Sequence, residues 1–333
     1  MPRIVVLAPY AKRSGGPEAC HQLVDCLIRL GFSAELWLLN ESEVEQLVQA
    51  REQGMEFRNA NVQAQARVSP VEEYQQYQCP AFHASKVGDD VIFVLPELYL
   101  LLLPLFRGMP CMVWWLSVDN ALISMGYMNL NHLRQPTVTH LVQSAYAARF
   151  VAALGLKSQY LSDYTVVSRE IVPALAERPT SVALVGGSKV LLDLTELERI
   201  LRLDHGIDVR VIHGMSRSEV YGCMRNARVL ADFGKFPGKD RMVREALLLG
   251  CLVATGSDGA ALGEDDFSLP SIYRQPAHDL SKVAALLSHM VKYPEHHQAA
   301  QRAAVQRIEG EYAQFTQEVL SVFAATLNGS GCT

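Results

Sequence analysis

Residues 229–250 read Val-Leu-Ala-Asp-Phe-Gly-Lys-Phe-Pro-Gly-Lys-Asp-Arg-Met-Val-Arg-Glu-Ala-Leu-Leu-Leu-Gly. The cations Lys235, Lys239 and Arg241 fall in or beside a glycine-containing loop, with Asp240 among them. Arg244 and the carboxylate Glu245 follow at once. The apolar run over 229–233 predicts a buried strand ended by Gly234. The spacing over 242–249 predicts a helix, with Glu245 in its first turn and Gly250 as the stop. Cations at a helix N-terminus, with glycines that let the backbone come close, suit an anion. A carboxylate beside them accepts from hydroxyls, so the pattern asks for a ligand that is part phosphate and part sugar.

Other stretches offer compatible groups. Lys189 ends Gly186-Gly187-Ser188-Lys189 directly after the apolar run 182–186. Gly15 and Gly16 precede an amphipathic helix, where backbone can approach a phosphate; a plain tight turn is the bland alternative. Asp119 closes the strand-like run 111–118, at the strand end where open α/β sheets bind ligands; an Asx turn or a helix cap is its structural alternative. For Lys239 and Arg244 that alternative is an ion pair with Asp240 or Asp232. His140 and His213 read as structural, His296 and His297 as surface, 264–266 as a solvated acidic loop, and Cys332 as part of a disordered tail. No GxGxxG is present, which argues against a dinucleotide dehydrogenase.

These groups need a scaffold that brings strand ends and helix starts together. Strands over 4–8, 33–39, 90–95, 111–118, 139–143 and 158–161, with helices after 17 (Pro17 at the first position), over 97–106 and over 146–154, make a doubly wound parallel sheet. A second alternation follows: strands 182–186, 209–212, 229–233 and 251–255, and helices 194–203, 216–227, 242–249 and 280–290. One polar helix over 295–327 closes the chain. The expected fold is therefore α/β, with two Rossmann-like domains, 1–165 and 166–294, and a helical segment, 295–333, packing back across them. Residues 40–84, with a helix over 42–52, are too many for an idle loop and suggest a cover or an insertion. The 333 residues suit two domains. A net charge of -5 disfavours nucleic acid as a whole-molecule partner. Seven scattered cysteines and a strand-like start with no leader point to a reducing cytoplasm. No apolar run is long enough to span a bilayer, and peripheral membrane contact stays open.

Taken together, Gly15-Gly16-Pro17-Glu18, Gly186 to Lys189, the segment 216–226 and Arg244-Glu245-Ala246 with Gly250 resemble GT-B glycosyltransferases of the retaining group-1, or family 4, type. Residues 114–120, 143–147, 161–164 and 232–246 are similar to a bacterial branch of glycosyltransferase-like proteins. The resemblance implies two Rossmann-like domains facing a cleft. A nucleotide sugar would lie mainly on the second domain and an acceptor of unspecified class on the first. It implies no metal and no cofactor beyond the donor itself. Lys189 and Arg241 would hold the diphosphate, Lys239, Asp240 and Arg244 would line the donor loop, and Glu245 would hold the ribose. Asp119 would serve the acceptor. One departure is visible: relatives carry a sugar-holding carboxylate where this chain has Pro237. Two alternatives share the fold, a nucleotide-sugar epimerase or hydrolase and a non-catalytic nucleotide-sugar-binding relative.

Overall fold

The computed structural model describes residues 2–59, 65–83, 90–167, 172–179, 181–187 and 189–328, the last four as backbone only. Ser188 and Cys332 lie outside the described residues. Two compact units emerge, one of residues 1–163 with 313–333, the other of 164–312.

The first unit is a parallel sheet with helices between its strands. In chain order it contains β1 (Arg3–Pro9), α1 (Gly15–Arg29), β2 (Ser33–Leu39), α2 (Glu41–Glu52), β3 (Val91–Pro96), β4 (Cys111–Trp115), α3 (Val118–Met125), β5 (Val138–Val142), α4 (Ala145–Ala153) and β6 (Ser158–Tyr160). The strand order is β2-β1-β3-β4-β5-β6. Ile4 to Ala8 are wholly buried, as expected of a strand covered on both faces. Trp114 and Trp115 leave β4 towards different partners. The Trp114 indole donates to the Leu161 carbonyl at 2.8 Å, and that of Trp115 to His140 Nδ1 at 3.1 Å. His140 Nε2 lies 2.9 Å from the Leu133 carbonyl, so this buried histidine is structural, as its sequence context suggests.

Several boundaries differ from the sequence reading. The run 111–118 is strand only as far as Trp115, because α3 starts at Val118. Residues Glu97–Phe106 form 3-10 turns kinked at Tyr99 rather than one α-helix, with Pro104 inside. Helix α1 starts at Gly15, which puts Pro17 at its third position. Beyond α2, whose start Asn40 and Glu43 close reciprocally, described residues 80–82 run beside β2. Leu36 donates to the Pro80 carbonyl and accepts from Phe82, which pairs the open edge of the sheet.

The second unit contains β7 (Ser181–Val185), α5 (Leu194–Leu203), β8 (Asp208–Ile212), α6 (Arg217–Asn226), β9 (Val229–Asp232), α7 (Arg241–Leu248), β10 (Leu252–Thr255), α8 (Leu280–Lys292) and α9 (Pro294–Glu309). Its strands are also parallel, in the order β10-β9-β7-β8. Helix α6 opens with the capping box that Ser216 and Glu219 predict. The single terminal helix expected over 295–327 is two: α9 ends at Gly310, and α10 (Glu311–Asn328) restarts after it. The first two residues of α10 belong to the second unit and the remainder to the first. No described helix is long and apolar enough to cross a membrane.

Helix α9 closes the β10 edge with a side chain in place of a strand. The amide of Gln301 accepts from Val253 N at 2.9 Å and donates to Val253 O at 2.7 Å. His297, one turn earlier, is buried rather than at the surface: Nδ1 lies 2.8 Å from the Tyr273 hydroxyl and Nε2 2.8 Å from His289 Nδ1. Burial, then the nearby His289 and His296, lower its pKa to about 4.

Two outcomes follow. Gln301→Ala leaves a buried N–H and C=O of β10 unpaired and is expected to cost about 2–3 kcal/mol in urea unfolding; an unchanged midpoint contradicts this. His297 binds a proton less readily folded than unfolded, so its contribution is intact above about pH 6.5 and is lost as pH falls towards 4. Melting curves from pH 7.5 to 5 should therefore fall more steeply in the wild type than in His297→Gln; parallel curves contradict the account.

Candidate functional site

In the second unit the chain leaves β7 towards β8 and leaves β9 in the opposite direction, towards β10. Adjacent parallel strands with diverging connections open a crevice at their carboxyl ends, where open α/β sheets bind ligands. The loops at that point are those that carry Lys189 and Lys235 to Asp240. They are stitched together: Leu191 N donates to Phe233 O at 3.0 Å, and Lys235 N to Lys189 O at 2.9 Å. The loop after β10 joins them, since Gly256 N donates to Asp232 O and Ala260 N to Phe236 O, each at 2.8 Å. A side chain at Gly259 (φ +54°) would overlap the Phe236 carbonyl, so this approach requires glycine.

Helix α7 opens into the same place. Asp240 is its N-cap, accepting from Met242 N at 2.8 Å, and Arg241 is its first residue, half-buried. Lys189 and Lys235 are exposed. Asp232, at the end of β9, is buried and accepts from Gly234 N at 3.0 Å. Burial, then the negative charge of Asp240, push its carboxyl above the usual carboxylate range, and Lys189 acts the other way. The helix N-terminus, three cations and two acids form a polar platform over the strand ends.

Arg244 and Lys239 have different surroundings from Arg241. Arg244 is wholly buried: Nη1 donates to Glu311 Oε2 at 2.8 Å, Nε to Asp240 O at 3.2 Å and Nη2 to Lys239 O at 3.0 Å. Lys239 Nζ lies 2.6 Å from Glu311 Oε1. The Glu311 carboxylate, 1% exposed, also accepts from Thr165 N at 3.1 Å. Their shared acid is thus Glu311, at the start of α10. Both cations fix the shape of the loop from inside, whereas Lys189 and Lys235 are exposed and Arg241 is half-buried.

Glu245 lies in the second turn of α7, as its fifth residue, rather than in the first. It is buried, and its Oε1 accepts from the Tyr221 hydroxyl at 2.8 Å and from Arg217 Nη2 at 3.0 Å. Arg217 Nε also donates to the Tyr221 oxygen at 2.9 Å. Burial, then the Glu245 carboxylate, raise the pKa of Tyr221, which keeps it a donor.

The first unit diverges in the same way between β1 and β3. The loop after β1 leads into Gly15 and Gly16, the first residues of α1. A β-carbon at Gly16 would meet only Leu116 Cδ1 at 3.8 Å, so the fold itself tolerates a side chain there. After β3 comes Glu97, fully buried, which accepts from Leu116 N at 2.8 Å and from Asn120 Nδ2 at 3.2 Å. Burial raises its pKa to about 7. Glu97 thereby anchors the start of α3, on which Asp119 is the exposed second residue.

A cavity of about 330 Å³ lies elsewhere, under α6 against β7 and β8. Ser181 and Asp208 in its lining begin their strands, so it is near the opposite end of the sheet from the platform. Among the described residues no group of three or more His, Cys, Asp or Glu side chains is arranged to hold a metal ion. Glu264 of the acidic loop pairs with Arg274, and Asp266 is buried.

No protein-family model matches the chain, and no curated protein matches it by sequence. Solved structures do match over its length. Sucrose-phosphate synthase from Thermosynechococcus elongatus superposes with a TM-score of 0.63 at 10% identity, covering 99% of this chain and 100% of that one. S. aureus TarM, solved with fondaparinux, alpha-GlcNAc-glycerol and UDP, gives 0.62 at 9% identity, covering 98% and 99%. Anabaena HepE, solved with UDP-glucose, gives 0.59 at 12% identity, covering 98% and 100%. The fold is GT-B. At such identities these likenesses concern the path of the chain alone.

Sequence reading does not find Glu311, Arg217, Tyr221 or Glu97 as site-shaping residues, because each acts across long stretches of chain. The signal available for Glu311 is Gly310, a helix stop directly before an acid. Glu311→Gln removes the charge that Lys239 and Arg244 share inside the protein. It is expected to cost about 3–5 kcal/mol in denaturant unfolding, and a loss below 1 kcal/mol contradicts the role assigned to this carboxylate.

Proposed function

We propose that this chain is a glycosyltransferase that moves a sugar from a nucleoside-diphosphate donor to an acceptor hydroxyl. The observation that carries the reading is the platform at the β7–β9 divergence, where the α7 N-terminus, Arg241 and Lys189 converge on one set of strand ends. The structures of GT-B proteins solved with UDP or UDP-glucose support the donor class. Transfer breaks the bond between the anomeric carbon and the diphosphate, forms one to the acceptor oxygen and releases the acceptor's proton. The departing diphosphate gains negative charge, which the helix N-terminus and the two cations stabilise where it develops. On this reading the diphosphate is neutralised without a metal and the sugar keeps its anomeric configuration.

In the same reading Glu245 accepts from ribose hydroxyls, held in place by Tyr221 and Arg217. Lys235 and Asp240 line the donor loop. Within the first unit, Gly15 and Gly16 leave the backbone open to an anionic group, and Asp119 serves the acceptor. We place the activity in the cytoplasm, with peripheral membrane contact dependent on the acceptor.

A thermal-shift screen of nucleoside diphosphates and nucleotide sugars tests this directly. A donor present at about one hundred times its dissociation constant should stabilise the protein by roughly 2.7 kcal/mol. Lys189→Ala and Arg241→Ala should each weaken binding about tenfold or more, and EDTA should leave turnover unchanged. No shift with any nucleotide sugar, and no nucleoside diphosphate released from one, would falsify the proposal.

A further inference from the structure

Helix α3 and the chain after it leave apolar side chains in water. Leu122, Ile123 and Tyr127 are 55%, 69% and 76% exposed, and Leu130, in the following 3-10 turn Leu130–Arg134, is 37% exposed. Leu122 and Ile123 sit one turn after Asp119, and Tyr127 follows one turn later, just past the helix end. The other face is spent on the core, where Val118, Ala121 and Ser124 are buried. The helix thus buries its smaller residues and turns its largest aliphatic ones outward. Single surface leucines are ordinary, but neighbours on one helix face mark a contact surface.

Cations gather at one end of this face. Arg134 closes the same 3-10 turn that Leu130 opens, and its Nη2 donates to Leu154 O at 2.9 Å. That contact ties the turn to the end of α4, three residues before the exposed Lys157. Arg107 is exposed four residues before β4, whose first residue, Cys111, donates through its N to Thr137 O at 2.9 Å, just ahead of β5. Arg107, Arg134 and Lys157 therefore all lie at the amino ends of β4, β5 and β6. Charge here runs against that of the whole chain. Residues 98–162 hold the cations Arg107, Arg134, Arg149 and Lys157 and a single acid, Asp119, while the chain carries a net charge of -5. Asp119 begins α3 at the carboxyl end of β4, the far end of the face from those three cations.

We infer that this face of α3, with the turn after it, docks on the surface of an anionic lipid bilayer. Leu122, Ile123, Tyr127 and Leu130 enter the boundary between headgroups and acyl chains, where an aromatic ring can bury its body and keep its hydroxyl among the headgroups. Arg107, Arg134 and Lys157 attract acidic headgroups. The two contributions act together: the cations offset the repulsion that a net charge of -5 meets at a negative surface, and the apolar side chains add burial. This supplies the surface for the peripheral contact placed above. It does not rest on sugar transfer, so its test stands apart from the nucleotide screen.

Co-sedimentation of the protein with vesicles of phosphatidylcholine, with and without phosphatidylglycerol, tests the assignment. The protein should sediment with the mixed vesicles, much less with phosphatidylcholine alone, and less as salt rises. Ile123→Ser should weaken binding to mixed vesicles roughly tenfold, and Lys157→Gln roughly fivefold. Both should melt near the wild-type temperature, because both side chains are exposed. Leu203→Ser, at an exposed leucine of the second unit, should bind like the wild type. No binding to the mixed vesicles overturns the inference, as does wild-type binding by Ile123→Ser or an equal loss in Leu203→Ser. Light scattering that shows a dimer which Ile123→Ser dissolves overturns it as well, since the face then meets a second copy of the chain.

Discussion

Glu311 places one carboxylate where Lys239 Nζ, the Arg244 guanidinium and Thr165 N converge, inside the second unit and away from water. Buried cations without a counter-charge are costly, and a buried carboxylate alone is equally so; together, with their remaining hydrogen bonds made, they hold one arrangement. Arg244 then spends its other nitrogens on the carbonyls of Lys239 and Asp240. Those carbonyls belong to the last residues before α7, so the same network sets where α7 begins and how Asp240 caps it. The platform inherits its shape from a side chain that touches none of its outer surface.

The strand order supplies the rest. Each unit has one divergence point, β1 beside β3 and β7 beside β9, and each of these carries the residues that invite a polar ligand. Both use a buried acid next to the opening, Glu97 in the first unit and Asp232 in the second, and burial raises the pKa of each. Glu97 is spent on backbone and side-chain donors at the start of α3. Asp232 has the charged groups Asp240 and Lys189 for company, the first raising its pKa and the second lowering it.

Much of this is legible from local pattern. Continuous apolar runs bounded by glycine mark β1, β7 and β9, and Ser216 with Glu219 marks the start of α6, because strand burial and helix capping are decided within a few residues. The loop 235–241 stands out for the same reason: its charge and glycine content are local. What pattern does not convey is how deeply each charge is buried. Arg241 and Arg244 look alike in sequence, and only Glu311, brought in by a break at Gly310, separates the buried cation from the half-buried one. Asp119 shows the same limit on a smaller scale. Its place near the sheet's carboxyl edge can be read, but whether it ends a strand or starts a helix turns on Glu97, which holds the backbone after Trp115. His297 looks polar and exposed in its own helix and is buried because Tyr273 and His289 come to meet it.

The central claim is that the ligand rests on the strand ends of the second unit, at the α7 N-terminus. Hydrogen–deuterium exchange with and without the nucleotide sugar that most raises the melting temperature addresses it directly. The account predicts new protection concentrated in peptides covering the loop after β7 and residues 233–242, with little change around the cavity under α6. Protection centred on that cavity, with the α7 start exchanging as in the free protein, would contradict it.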